Sequence, residues 1–356
     1  MDPFLSIIIP VYNIKEEYLK ACFDSLISQD MKEFRVIVVD DGSSDNNRNI
    51  CDEYAIKDSR FVVIHQSNAG VSVARNSGIE MADTEWITFV DPDDWVENNH
   101  VSTLYVAQKE HFEIDIFLFD YVQEFVGCSV TKRLEINSGR LDSLWIHNLR
   151  LAPFNFFVVN GKPYEYETNT IWNKMYRTSL IRNNGLEFDP RVRKGQDVIF
   201  NAECYQLTEK FYYVKVPLYH YRYLQGSITN RYNPKVQYYN EVAFEDYEAI
   251  IRKHRLPEEY WDAYYARVVT RTYSCMRLYY FHPENKGKKR TIRNELDITL
   301  KSYPYNKALE RVAGDHLTQM QKVFVYFLKR RNYGILNLLM KARILLKNLK
   351  GHKLER

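Results

Sequence analysis

"FRVIVVDDGSSD", residues 34–45, is a short apolar run that closes on an acidic turn. The same pattern returns in "EWITFVDPDDWV", residues 85–96. Continuous Val- and Ile-rich runs of this length, ended by turn residues, predict buried strands of a parallel sheet. "LSIIIPVYN" (5–13) and "FVVIH" (61–65) predict two more such strands, and "DIFLFDY" (115–121) a fifth. Helical stretches separate them. "KEEYLKACFDSLISQ" sets Leu19, Cys22, Phe23 and Leu26 on one helical face,. Ser44 or Asp45 stands where it would cap the next helix, and "VSVARNSGIEMA" and "HVSTLYVAQKEHF" are helical in character. Strands alternating with helices predict an α/β domain with a mainly parallel sheet. Such sheets bind ligands at the carboxyl ends of their strands. Both acidic turns fall there, so one crevice should hold both.

Residues 122–230 mix short patterns. From about Asn233 onward the periodicity turns helical, as in "YYNEVAFEDYEAIIRKH" and "EEYWDAYYARVVTRTYSCMRLYYF". The expected division is an α/β domain over 1–230 and a helical region over 231–356.

The 28 tyrosines and 19 phenylalanines predict a Tyr-rich core, with carbohydrate contact as the functional alternative,. The five cysteines (22, 51, 128, 204 and 275) are widely spaced and form no CxxC pair. That argues against a disulfide framework or structural zinc and for a reducing cytosol. The opening "MDPFLSIIIPVYN" has no basic segment ahead of its apolar run and meets Pro10 early, unlike a signal peptide,. No run of about 18 apolar residues predicts a spanning helix.

Asp91, Asp93 and Asp94 form a cluster that repels itself. A solvated turn with Asp94 capping the following helix would tolerate it. So would a hard divalent cation shared between carboxylates and phosphate oxygens, which needs no His or Cys cage. "DDGSSD" likewise reads as a tight turn with a helix cap or as part of a ligand site.

"SIIIPVYN", "VIVVDDGSSD", "NAGVSVARNSGI" and "ITFVDPDDWV" occur in an order and at spacings that resemble glycosyltransferase family 2, whose fold is GT-A: a Rossmann-like, mainly parallel α/β sheet that binds nucleotide-sugars. "IWNKMYRTSLI", "GQDVIFN" and "YHYRYLQGSIT" resemble later motifs of its capsule and exopolysaccharide branch. The resemblance spans residues 5–230 and implies an inverting hexosyltransferase that uses a UDP-sugar and Mn²⁺ or Mg²⁺. It implies that Pro10 and Tyr12 line the nucleoside pocket and that Asp41, or alternatively Asp40, pairs with uracil N3–H. Asn68 and Arg75 match nucleotide contacts, and a planar guanidinium suits a diphosphate. Asp91 and Asp93 match the DxD pair, with Asp93 the direct metal ligand. Asp197 matches the base that deprotonates the acceptor hydroxyl; helix N-cap is its structural alternative. Gln196 stands where the family usually has Glu. His220 is expected as a third metal ligand or a diphosphate donor, the alternative being a packed core residue. Lys174 and Arg222 are further diphosphate candidates, and Trp172 is a sugar-stacking or core residue. A non-catalytic nucleotide-sugar-binding or membrane-interacting protein is the competing reading.

The net charge of +3 is unevenly placed. Residues 322–356 carry ten Lys and Arg against Glu355 alone. Within them Ile335, Leu338, Leu339, Ala342, Leu345, Leu346 and Leu349 fall on one helical face and Lys341, Arg343, Lys347 and Lys350 on the other. A basic amphipathic helix suits the anionic cytoplasmic face of a membrane; packing on the protein's own core is the alternative. An acidic body without a recognised motif argues against nucleic acid. The acceptor implied is a growing surface polysaccharide or a lipid-linked oligosaccharide. The chain would work in the cytoplasm, peripherally on the inner membrane face.

Overall fold

The computed structural model describes residues 2–155, 158–159, 162–163, 166–223, 232–312 and 317–342. Two compact units are present: Met1–Pro153 with Tyr164–Gln225, and Phe154–Pro163 with Gly226–Arg356.

The first unit begins β1 (Leu5–Val11), α1 (Glu16–Ile27), β2 (Phe34–Asp40), α2 (Asp45–Lys57), β3 (Phe61–His65), α3 (Val71–Met81), β4 (Trp86–Phe89). Each predicted strand and helix to this point forms where its apolar pattern places it. β5 (Trp95–Val96), α4 (His100–Glu110), β6 (Ile116–Phe125), β7 (Cys128–Lys132), β8 (Gly139–Arg140) and α5 (Ser143–Leu151) follow. After the short β9 (Val158–Val159) and β10 (Lys162–Pro163) of the second unit come β11 (Lys174–Arg177), α6 (Thr178–Asn183), α7 (Gln196–Gln206) and β12 (Phe211–Arg222).

The main sheet runs β3-β2-β1-β4-β11-β6-β12-β5, with β7 beside β6 and β8 beside β12. β1, β2, β3 and β4 are mutually parallel, as are β6 and β12. β11 lies antiparallel between β4 and β6. This central strand was not legible: it is four residues long and carries a fully buried Lys174 where a strand core should be apolar.

Leu19, Cys22, Phe23 and Leu26 are the buried face of α1. α3 lies so close to β1 that a Cβ on Gly78 would stand 2.4 Å from Ile8 Cγ2. Only glycine lets the helix approach that far, and Arg75 lies one turn earlier on the same helix.

The second unit contains α8 (Val236–Lys253), α9 (Glu258–Cys275), α10 (Lys289–Lys301), α11 (Tyr305–Arg311), α12 (Gln319–Lys329) and a helical stretch over 333–342. A π-helical turn, Met276–Tyr280, extends α9. Its core is tyrosine-rich, as composition suggested: Tyr247, Tyr264 and Tyr305 are buried. Buried hydroxyls need partners, and Tyr264 donates to Glu248 Oε1 at 2.8 Å. The five cysteines are free. Among the described residues no helix is long and apolar enough to cross a membrane.

Candidate active site

The turns after β1 and β2 are tied together. Asn13 N donates to Ser43 Oγ at 3.2 Å, Ser44 N to Asn13 Oδ1 at 2.9 Å, and Asn47 brackets Ile14 with bonds of 2.6 and 2.8 Å. Pro10 is buried in β1, and Tyr12 just beyond it is 49% exposed. Ser44 holds the N-cap position of α2 without a side-chain cap bond.

Asp40 and Asp41 are both buried. Asp41 accepts from Gln66 Nε2 and Ala69 N through Oδ1, at 2.8 and 2.9 Å, and from Gly70 N and Asn68 Nδ2 through Oδ2, at 2.8 and 3.3 Å. Those four bonds use the lone-pair sites of a carboxylate. Asp40 accepts from Ser43 N at 3.0 Å and meets His65 Nδ1 at 2.8 Å. The expected uracil partner is thus the anchor of the loop that carries Asn68. Gly42 lies under that loop at φ +73, where a Cβ would stand 2.7 Å from Asn68 N.

The acidic turn after β4 divides its labour. Asp94 is not the helix cap: α4 begins at His100 after Asn99. Its buried carboxylate instead accepts from Arg222 N and Tyr219 Oη, both at 2.7 Å. Burial raises its pKa well above the carboxylate range, with Asp93 and Asp91 adding repulsion. Tyr219 Oη also accepts from Asp91 N at 3.1 Å, so β12 holds the turn's shape. Arg222 Nε donates to the Asp93 carbonyl at 2.9 Å, its guanidinium lying between the rings of Tyr18 and Trp95, at 4.4 and 4.6 Å.

Arg75, buried on α3, donates through one arm to Asp91 Oδ1 at 3.0 Å and through the other to Asp197 Oδ1 at 2.6 Å. Burial opposes its charge, yet Asp197 and Asp91 raise its pKa. Burial pushes Asp91 up to about 6 against the pull of Arg75. Asp197 sits in the first turn of α7, where the helix dipole favours an acid, but the N-cap is Gly195, at φ 83. The capping alternative for Asp197 is therefore set aside. A cavity of about 300 Å³ adjoins it, lined among others by Glu167, Thr170, Arg193 and Gln196.

His220 is placed differently from the expected third ligand. Nδ1 meets Glu124 Oε1 at 2.7 Å and Nε2 meets Glu97 Oε1 at 2.8 Å, so both ring nitrogens are taken. The ring stacks on Trp95 at 4.9 Å. Trp172 is a core residue stacked on Tyr219 and Tyr221, at 4.5 and 5.6 Å. Lys174 is buried, donating to Asn173 Oδ1 at 2.6 Å, and burial lowers its pKa to about 7 against the pull of Asp197 and Glu167. Neither Trp172 nor Lys174 is presented to a ligand. Tyr219 was missed, although the alternation Tyr219, His220, Tyr221, Arg222 signals a strand with two functional faces.

The donor set fits a hard divalent cation only if a ligand completes it. Among the described residues no three His, Cys, Asp or Glu side chains gather as a metal cage. Asp93 offers oxygen donors to which no other described residue is hydrogen-bonded, and burial raises its pKa against the pull of Arg222. A cation would reverse that rise. Asp91 adds a second oxygen donor, partly shared with Arg75.

The model of "Glycosyl transferase family 2" matches residues 6–185. EpsH of Bacillus subtilis (strain 168) is 33% identical over 276 residues, covering 77% of this chain and 76% of EpsH. The uncharacterized glycosyltransferase EpsJ of the same organism is 31% identical over 278 residues, covering 72% and 77%. Among solved structures, S. aureus TarS 1–349 in complex with UDP-GlcNAc superposes with a TM-score of 0.67 at 18% identity, over 97% of this chain and 92% of that one. This likeness shows the fold: the expected GT-A arrangement of a mainly parallel α/β sheet followed by a helical region.

Proposed function

The chain belongs to glycosyltransferase family 2, and from that premise we propose that it moves a hexose from a UDP-sugar to a hydroxyl of a cell-surface polysaccharide or lipid-linked oligosaccharide. The observation that carries this reading is the Arg75 bridge. It joins Asp91 of the DxD turn, where the donor diphosphate is expected, to Asp197, the expected base.

Transfer is a single displacement. The acceptor oxygen attacks the anomeric carbon, the bond from that carbon to the diphosphate breaks, and UDP leaves with the electron pair. Asp197 takes the acceptor proton, a contribution of about 10²- to 10⁴-fold. An α-linked donor gives a β-glycoside. Mn²⁺ or Mg²⁺ held by Asp93 and Asp91 would neutralise charge on the departing diphosphate. Pro10 and Tyr12 face the nucleoside. Asn68 contacts it from a loop that Asp41 fixes; Asp40 steadies the neighbouring turn. Arg222, beside Asp93, is the sequence-predicted cation best placed for the diphosphate. The TarS complex with UDP-GlcNAc supports a UDP-sugar donor, and the later motifs support a surface polysaccharide acceptor. The enzyme would act in the cytoplasm, peripherally on the membrane.

The test is UDP release from UDP-glucose, UDP-galactose and UDP-GlcNAc, with and without Mn²⁺. Metal-dependent release from one donor is expected. Release from none, with metal and acceptor extract present, would contradict the reading.

A further inference from the structure

α12 is apolar on two sides. Phe324, Val325 and Leu328 are buried, yet Met320, Val323 and Tyr326 are 57%, 46% and 51% exposed. Seven of its eleven residues are apolar or aromatic against Gln319, Gln321, Lys322 and Lys329, so the apolar stripe is wider than the face the helix buries,. The helical stretch 333–342 repeats this: Tyr333, Leu336 and Met340 are buried while Leu338 and Leu339 are 67% and 38% exposed. A groove of about 500 Å³ gathers Tyr273, Met320, Val323, Phe324 and Leu339 along one wall of the helical unit.

The charges carried by these two helical stretches have one sign. Residues 317–342 contain five Lys and Arg and no acid. Arg331 reaches Asp297 at 3.8 Å. Lys322, Lys329, Arg330 and Lys341 have no carboxylate partner among the described residues. The Arg330 guanidinium lies 3.6 Å from the Tyr326 ring centroid, an aromatic–cation pair of the kind found at a headgroup layer,. An apolar protein partner would match the groove but leave these four cations without a counter-charge.

We propose that α12 and 333–342 form a membrane-docking face for an anionic lipid surface, the groove receiving an acyl chain and Lys322, Lys329, Arg330 and Lys341 meeting the headgroups. It deepens the peripheral placement proposed above and assigns it to a surface distinct from the donor site. Because Val323 and Leu338 face outward, charging them spares the core.

Full-length protein, Val323→Glu/Leu338→Glu and Lys329→Glu/Arg330→Glu are co-sedimented with phosphatidylglycerol-containing and pure phosphatidylcholine vesicles. Circular dichroism and UDP release serve as controls for folding and for the donor site. The expected result is preferential binding of wild type to anionic vesicles, lost in the apolar double variant and weakened roughly tenfold or more in the charge variant. Unchanged binding by both variants would overturn the assignment while leaving a peripheral enzyme attached elsewhere. No vesicle binding by wild type would overturn the assignment and the peripheral reading together, leaving UDP release to judge the transferase. A dimer that dissociates in the apolar variant would make the face an interface between two copies, again overturning the lipid assignment.

Discussion

Arg75 and Asp197 are 122 positions apart and share a 2.6 Å ion pair that is nearly sealed from solvent on the arginine side. α3 carries the cation, the first turn of α7 the anion, and the second guanidinium arm returns to Asp91. One side chain thus fixes the acidic turn of β4 against the expected base.

Arg75→Ala leaves two carboxylates facing each other without a cation. Removing one member of a buried ion pair costs about 3–5 kcal/mol. Arg75→Lys keeps charge but cannot span both acids with a planar fork, so it should recover only part of the loss. Urea unfolding of the three proteins measures this. Wild-type stability in Arg75→Ala would mean that the bridge does not hold the unit together.

Asp41→Asn tests whether Asp41 acts by anchoring its loop. An amide presents donors to groups that themselves donate: Ala69 N, Gly70 N and the Gln66 and Asn68 amides. A loss of about 1–3 kcal/mol is expected, with faster hydrogen exchange across residues 66–70 as well as weaker UDP binding. Weaker UDP binding with unchanged exchange would instead indicate direct contact with the base.

Asp93→Ala removes the carboxylate proposed as the direct metal ligand, so UDP affinity should no longer rise with Mn²⁺. Titration calorimetry of UDP with and without Mn²⁺ reports the difference. An enhancement equal to that of wild type would place the metal elsewhere.

His100 is fully buried, with Nδ1 3.0 Å from the Leu218 carbonyl and no partner at Nε2 among the described residues. Burial lowers its pKa to about 4 from 6.5. Between those values the unfolded chain binds the extra proton, so stability falls as pH drops through that window. The loss approaches about 3 kcal/mol below pH 4. His100→Gln keeps a donor for Leu218 and removes the titration. Stability curves from pH 4 to 7 should be steeper in wild type; parallel curves would contradict the neutral, buried histidine.

The strands β1 to β4 and both acidic turns could be read directly, because continuous apolar runs, fully buried in β1 and β4 and nearly so in β2, leave no polar alternation to confuse them, and the edge strand β3 keeps the same apolar run. Asp91 and Asp93 stood out as an acidic cluster, whereas the roles expected of Asp41, Asp91, Asp93 and Asp197 came from motif resemblance. What they touch did not. Nothing local predicts that Arg75 finds Asp197, or that the carboxylates of Glu97 and Glu124 close on the two nitrogens of His220. β11 was hidden because burial of Lys174 is offset by polar groups nearby, Asn173 Oδ1 among them, rather than by an apolar pattern. Asp94 looked like a cap because acids commonly precede helices; strand β12, 125 residues later for Tyr219, uses it instead.

The most direct measurement is transfer by Asp197→Asn, made beside UDP titration of the same protein. If Asp197 is the base, UDP affinity stays close to wild type while the transfer rate at saturating donor falls roughly 10²-fold or more. A folded Asp197→Asn protein that transfers sugar at the wild-type rate would contradict the account.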